Sequence, residues 1–450
     1  MLWKVEQLVN ELKQNEKAGI IYQWSVEIKS QKKEEFYYIQ SQHRDFELDQ
    51  MRSVDMHNIY VTLFSLKENS KVGRHRQEFF NFQELESQLK LALEKCDISE
   101  EEKWNFSKSM DSEPKEVLTS YASINDNITQ TAQGLSQNMT KAIEETQQGV
   151  FNSAELFVIA EKNRRLLSTG LDYETRRSKI YQEVCFSFQD DEKSEEFLLT
   201  EWGCHPEQID IKSLCQKSSH YAKMSLNTEK PQSGNYSVLI DSEVLIHLFN
   251  DLFSQLNAER KYLKLPFLQT EDEVIPNFEG ENFQVWVDPE KEYGFLTTSY
   301  NSSGSLQKKI KLIDHNKVKN NLVGTQYSQY LEWPETTEVG NVVVDAQGFK
   351  KDELLKKNKE TLEILQFSGL FTNDNDLTFS SEIRLAKLHN RESGEIKYIK
   401  GGSLSGSFRQ NFRKVMWSEE KVARNQLDYM HGLSYFGPEF ALLNDVSVVS

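Results

Sequence analysis

The chain has 450 residues, a formal charge of −17 and 38% apolar residues; this length exceeds what one hydrophobic core serves, so two domains are expected. The acidity disfavours a nucleic-acid partner, because polyphosphate binding draws on clustered cations. No run approaches the ~20 apolar residues of a membrane helix, Met1–Glu6 lacks the apolar stretch of a secretory signal, and four scattered cysteines (Cys96, Cys185, Cys204, Cys215) read as reduced thiols of a cytoplasmic protein.

In chain order, Val5, Leu8, Val9 and Leu12 fall at helical spacing. Ile20, Tyr22, Trp24, Val26 and Ile28 then alternate as a half-buried strand, and further strands are expected at Glu35–Gln40 and Asn58–Leu66. Phe82, Leu85, Leu89 and Ala92 mark a second helix. From about 107 to 148 the composition turns to Ser, Thr, Asn and Gln, which reads as a loop and a helix near 127–146, or else as a disordered linker. Strands are expected at Glu155–Ala160, Arg164–Ser168, Ile180–Phe188 and Phe197–Glu201, then a helix near Ile209–Met224.

Pro231-Gln232-Ser233-Gly234-Asn235 has the chemistry of a domain boundary. A short strand, Tyr236–Ile240, and a helix, Ser242–Glu259, should follow it. Beyond lie expected strands at Phe283–Val287, Tyr293–Thr298, Lys308–Ile313, Asn341–Asp345, Glu382–His389, Glu395–Lys400 and Phe440–Val449. Lys308, Lys309, Lys311, Lys317 and Lys319 read as a solvated strand face, not a phosphate track. The expected fold is α+β: an N-terminal domain (1–230) of antiparallel strands with flanking helices, and a β-rich, barrel-like C-terminal domain (235–450).

The most informative stretch is Ser381–Phe408. Two alternating strands meet at Arg391–Gly394 and run into Gly401-Gly402-Ser403-Leu404-Ser405-Gly406. It resembles the C-terminal core of the TldD/PmbA family of metallopeptidases and their relatives, in which a strand pair leads into a similar glycine-punctuated turn. Leu167-Ser168-Thr169-Gly170-Leu171-Asp172-Tyr173 is similar to a second family segment, a Ser-x-Gly turn before a Tyr- and Arg-rich strand. The likeness spans most of the chain, strongest after Val339 and weakest before Glu100. The sequence departs from the family at Glu392-Ser393-Gly394, where Asn-Gly is usual, and at Trp417-Ser418-Glu419-Glu420, where Gly-Asn-Asp is expected.

Catalytic relatives carry His-Glu-x-x-x-His on the helix after a Gly-x-x-x-Val-Leu strand. Aligning Gly234–Leu239 with that strand puts Asn250, Asp251 and Gln255 where the two histidines and the glutamate would stand. Zinc is held by imidazole, thiolate or carboxylate, and carboxamides are weak neutral donors. The family's further ligand is a C-terminal cysteine, and no cysteine follows Cys215. The helix then reads as amphipathic, with Asn250, Asp251 and Gln255 on a polar outer face.

The resemblance therefore implies a non-catalytic TldE/PmbA-like subunit, without metal of its own, that pairs with a zinc-bearing TldD-like metalloprotease subunit acting on extended, unstructured peptides. Two alternatives remain: a self-associating, homodimeric peptide-binding or regulatory protein, and a peptidase built on the Cys204/His220 region. Cys204, His205, Cys215 and His220 lie within seventeen residues, but lack the paired C-x-x-C knuckles of structural zinc modules. Gly401, Gly402 and Gly406 read as turn glycines rather than a phosphate cradle, since the turn carries no lysine. The family's label as a modulator of DNA gyrase gains nothing from this charge balance.

Overall fold

The computed structural model describes residues 2–40, 46–80, 84–108, 116–428 and 431–450. Phe82 and residues 109–115 of the polar stretch, on which sequence expectations fall, lie outside them.

In the N-terminal half, α1 (Leu2–Lys17) leads into strands β1 (Gln23–Gln40), β2 (Phe46–Leu66) and β3 (Val72–Glu78). Helices α2 (Leu85–Cys96), α3 (Ala122–Asp126) and α4 (Ile128–Glu145) follow, then β4 (Val150–Leu167), β5 (Asp172–Gln189), β6 (Ser194–Gly203) and α5 (Ile211–Ser225). The polar stretch thus holds α4, capped by the Asn127 side chain, which accepts from the Gln130 amide. Its small apolar face (Ala132, Leu135, Met139, Ala142, Ile143) packs on Phe36, Tyr38, Phe151 and Val158 of the sheet.

The C-terminal half contains β7 (Thr228–Glu229), β8 (Gly234–Asp241), α6 (Ser242–Gln255), α7 (Ala258–Tyr262), β9 (Phe283–Asp288), β10 (Ile310–Asp314), β11 (Lys317–Val318), α8 (Thr325–Leu331) and β12 (Asn341–Ala346). After these come α9 (Lys351–Leu354), β13 (Glu360–Asn373), β14 (Thr378–Asn390), β15 (Ile396–Ile399), β16 (Ser403–Ser407), α10 (Phe408–Asn411), β17 (Met416–Trp417), β18 (Lys421–Asp428), β19 (His431–Pro438) and β20 (Phe440–Val449).

Two sheets organise these elements. One has the order β11-β10-β9-β12-β19-β18-β6-β5-β4-β1-β2-β3, and so runs through both halves. In the other, β13-β8-β20-β16-β14 closes on itself because β13 also pairs with β14, giving a five-stranded barrel, with β15 and β7 extending from β14. The expected α+β class and barrel-like C-terminal half are what the chain adopts. The largest apolar cluster joins α6 to the barrel and to β9, β10 and β12.

Several expected elements differ. The expected strands Ile20–Ile28, from Gln23 on, and Glu35–Gln40 are parts of one strand, β1, and Glu155–Ala160 and Arg164–Ser168, up to Leu167, are parts of β4. Their polar middles pair in continuous antiparallel register, as in Lys29↔Asn163 and Gln31↔Glu161. Tyr293–Thr298 is not a strand. Tyr293 adopts φ 57°, and the Phe295 and Leu296 amides donate to the side chains of Ser434, Asn425 and Asn341 instead of to a ladder. The helix expected to reach Glu259 ends at Gln255, and Asn257 caps the short α7 by accepting from the Glu259 and Arg260 amides. β13, β18 and β19 were not anticipated from sequence. Among the described residues, no helix is long and apolar enough to cross a membrane.

Candidate functional site

The site begins where β8 hands over to α6. Asp241 caps the helix, its Oδ1 accepting from the Glu243 amide at 3.0 Å. Arg424 of β18 reaches the same corner, with Nε donating to Ser242 Oγ at 3.2 Å and Nη1 to Glu243 Oε1 at 3.0 Å. Burial and the neighbouring Glu243 carboxylate push the Asp241 carboxyl up to about 7, against the opposing pull of Arg424.

α6 is apolar over most of its circumference. Val244, Leu245, Ile246, Leu248, Phe249, Leu252 and Phe253 are all buried, and the Phe249 ring lies 5.5 Å from Phe408 and 6.0 Å from Tyr435. Gln255, expected on a polar outer face, is fully buried. Its Nε2 donates to the carbonyls of Asp374 (2.5 Å) and Asn375 (3.4 Å), and its Oε1 accepts from the Phe267 amide at 3.0 Å. The reason is local: the β13–β14 turn leaves carbonyls facing the helix end, and a carboxamide satisfies donors and acceptors at once. Arg260 reinforces the joint, pairing with Asp374 at 2.6 Å and donating to Asn375 Oδ1 at 2.8 Å. Asn250, Asp251 and His247 are half-buried.

These positions do not fit a zinc ion. Asn250 offers a carboxamide, and both ends of the Gln255 amide are already committed to backbone groups. Among the described residues, no three His, Cys, Asp or Glu side chains stand together as a metal-holding group.

The glycine segment borders a different feature. Gly401 and Gly402 have φ of 79° and 74°, and a Cβ on Gly402 would lie 2.4 Å from Pro231 Cγ. Gly406 lacks positive φ, but a Cβ there would meet the Phe379 ring at 2.5 Å. Gly406 lines a cleft of about 760 Å³ together with Phe371, Asp376, Ser405, Arg409 and Arg413. One wall of this cleft, Asn373 to Thr378, is the turn that Gln255 and Arg260 hold. Sequence reasoning identified the glycines but not the cleft, because its arginines follow the turn and its other wall is some thirty residues earlier.

The cysteine–histidine group is dispersed in chemistry. Cys204 and Cys215 are fully buried, and burial pushes both thiols up to about 12. His205 Nδ1 accepts from the Glu207 amide at 3.2 Å as a cap, and His220 is exposed. A thiol so placed is neither an available nucleophile nor a ready metal ligand at neutral pH.

Against this geometry, residues 233–448 match the model of the PmbA/TldA metallopeptidase C-terminal domain. No curated protein matches the sequence. A candidate modulator of DNA gyrase from Thermotoga maritima superposes with a TM-score of 0.79 at 16% identity, over 99% of this chain and 100% of the other. A second candidate modulator of DNA gyrase, from Bacteroides thetaiotaomicron, gives 0.78 at 13% identity, over 99% and 98%. TldE from Thermococcus kodakarensis gives 0.77 at 12%, over 98% and 100%. At these identities the superpositions speak for a shared fold, and the matched domain places residues 233–448 in the TldD/PmbA family.

Proposed function

We propose that this chain is a non-catalytic, TldE/PmbA-type subunit that pairs with a metal-bearing TldD-like subunit to process unstructured peptides. The observation that carries this reading is Gln255. Where a catalytic relative needs a metal ligand, this chain has a buried carboxamide whose donor and acceptor are both used to fasten the β13–β14 turn. Asp251 alone has no activated water to deprotonate, since metal-assisted hydrolysis requires the ion as well as the base. In this view the chain contributes walls and grip, and the cleft bounded by that turn is one surface available for an extended peptide. The inaccessible thiols of Cys204 and Cys215 count against a cysteine peptidase.

The test is made on the tag-free chain, purified alone and then with a relative bearing an intact His-Glu-x-x-x-His. Alone it should hold no stoichiometric zinc by elemental analysis and cleave no peptide. Native mass spectrometry of the mixture should give a heteromeric complex with one zinc per partner chain. Chelator-sensitive cleavage by this chain by itself would overturn the proposal.

A further inference from the structure

The odd-numbered residues at the start of β5 form a polar face away from α6. Tyr173, Thr175, Arg177 and Lys179 share it with Glu161, Asn163 and Arg165 of β4 and with Glu27 and Lys29 of β1, as the antiparallel register dictates. The loop after β9 lies against this face and is tied to it by three side chains. Arg165 Nη1 donates to the Ser302 carbonyl at 3.0 Å, Tyr173 Oη to the Asn301 carbonyl at 2.9 Å, and Arg177 Nη2 to the Thr297 carbonyl at 2.7 Å. Between sheet and loop is a pocket of about 200 Å³, lined among others by Asn163, Arg165, Thr175, Arg177 and Tyr300.

In a chain of net charge −17 the balance here is inverted. The charged residues that line the pocket are Arg165 and Arg177, both cations. Glu27 takes Arg165 at 2.7 Å, Arg76 at 2.8 Å and Lys29 at 3.7 Å. Glu161 takes Lys179 at 2.9 Å. Glu338 accepts from Asn301 at 2.7 Å, and burial raises its carboxyl toward the neutral form. Arg177 is left without a carboxylate within ion-pair distance among the described residues. Its Nε is shut off from solvent and finds no hydrogen-bond partner there, and the Asn163 Oδ1 is in the same condition. Arg177 is half-buried, and the carboxylate opposite it in register, Glu161, favours its charge only from beyond ion-pair distance, so an anion in the pocket would complete the guanidinium.

We propose that this pocket is a binding site for a small oxyanion, and specifically for a carboxylate such as the C-terminal group of a peptide. The carboxylate meets the part of the Arg177 guanidinium that lines the pocket, beside Arg165. The pocket's size admits one small residue, so the site recognises a chain end and not a chain interior. The site is complete within this chain and does not depend on a catalytic partner.

The experiment is calorimetric titration of the full chain alone with three probes: an N-acetylated tripeptide with a free C-terminal carboxylate, the same peptide as its amide, and inorganic phosphate. The free acid should bind at least tenfold more tightly than the amide, and Arg177→Ala should abolish that preference while Arg177→Lys retains part of it. Binding of phosphate in preference to the peptide acid keeps the oxyanion site and reassigns its source. Equal binding of acid and amide, or no binding of any probe by the wild-type chain, overturns the proposal, and neither result requires a variant to fold. Because no partner or metal is present, failure here leaves the subunit reading untouched.

Discussion

Asp241 shows how one side chain couples the site's architecture to solution conditions. Its carboxyl caps α6 and faces Glu243 on its own helix, Arg424 from β18 and Tyr221 from α5, whose phenol is raised by burial first and then by the carboxylates around it, Glu363 and Asp241 among them. Its folded-state pKa, about 7, lies above the ~3.9 of an unfolded aspartate. The folded state therefore binds the proton more tightly, and stability contributed by this group falls as pH rises from about 4 to 7, then stays level. Glu27 and Glu363 act in the opposite sense and in a lower window. Burial alone would raise both, but cations and hydrogen-bond donors (Arg165 and Asn163; His389 and Lys351) hold them at about 2, so their contribution is lost as pH falls below about 4.5. Asp241→Asn preserves the cap and removes the titration. Urea midpoints of the variant should change less between pH 5 and 7.5 than those of the wild type; an equal decline in both would show that another group is responsible.

At the scale of elements, the glycine turn and the long strands mark what the sequence revealed and what it concealed. Gly401 and Gly402 were legible because paired glycines before a strand announce left-handed backbone, and both adopt it. Their surroundings were not legible. Nothing lies within 4 Å of a Cβ on Gly401, whereas on Gly402 it would strike Pro231 Cγ at 2.4 Å and the Val449 carbonyl at 2.8 Å. Gly401→Ala should therefore cost roughly 1–2 kcal/mol from backbone conformation alone. Gly402→Ala should cost more, by a further ~1–3 kcal/mol of overpacking. Denaturant melts giving the two variants the same midpoint would refute the contact. The helix α4 followed its periodicity almost to the residue because it buries one regular face, and β20 has the expected ends although a bulge between Leu443 and Val446 breaks its alternation. β13 escaped notice because bulges at Ile364, Gln366 and Phe367 break its alternation. β1 and β4 were cut in two because their middles are polar. That polarity is the charged face around Arg165 and Arg177, so the residues that hid the strands built the pocket. Gln255 was misplaced on the outer face for a related reason: helical periodicity does not reveal that a distant turn will offer it carbonyls.

For the whole molecule, the decisive contact is the seam where the two halves share a sheet. β18 meets β6 through Asn425↔Trp202, and Asn425 is 2% exposed. Its Nδ2 donates to the Tyr293 carbonyl at 3.0 Å, and its Oδ1 accepts from Ser434 Oγ at 2.6 Å and from the Phe295 amide at 3.3 Å. The same residue thus pins the irregular 293–298 loop, which forms the far wall of the Arg177 pocket, to the strand that brings Arg424 to α6. If the seam couples the halves, they should unfold together although Pro231–Asn235 reads as a boundary in sequence. Removing the amide leaves buried donors and acceptors without partners, at a cost on the order of 1–3 kcal/mol for each. Asn425→Ala should accordingly lower the urea midpoint of one cooperative transition while leaving its slope unchanged, because the surface exposed on unfolding is the same. Two separate transitions in the wild-type chain, one reported by Trp202 and one by Trp417, would mean that the halves are stable independently and that the seam only aligns them.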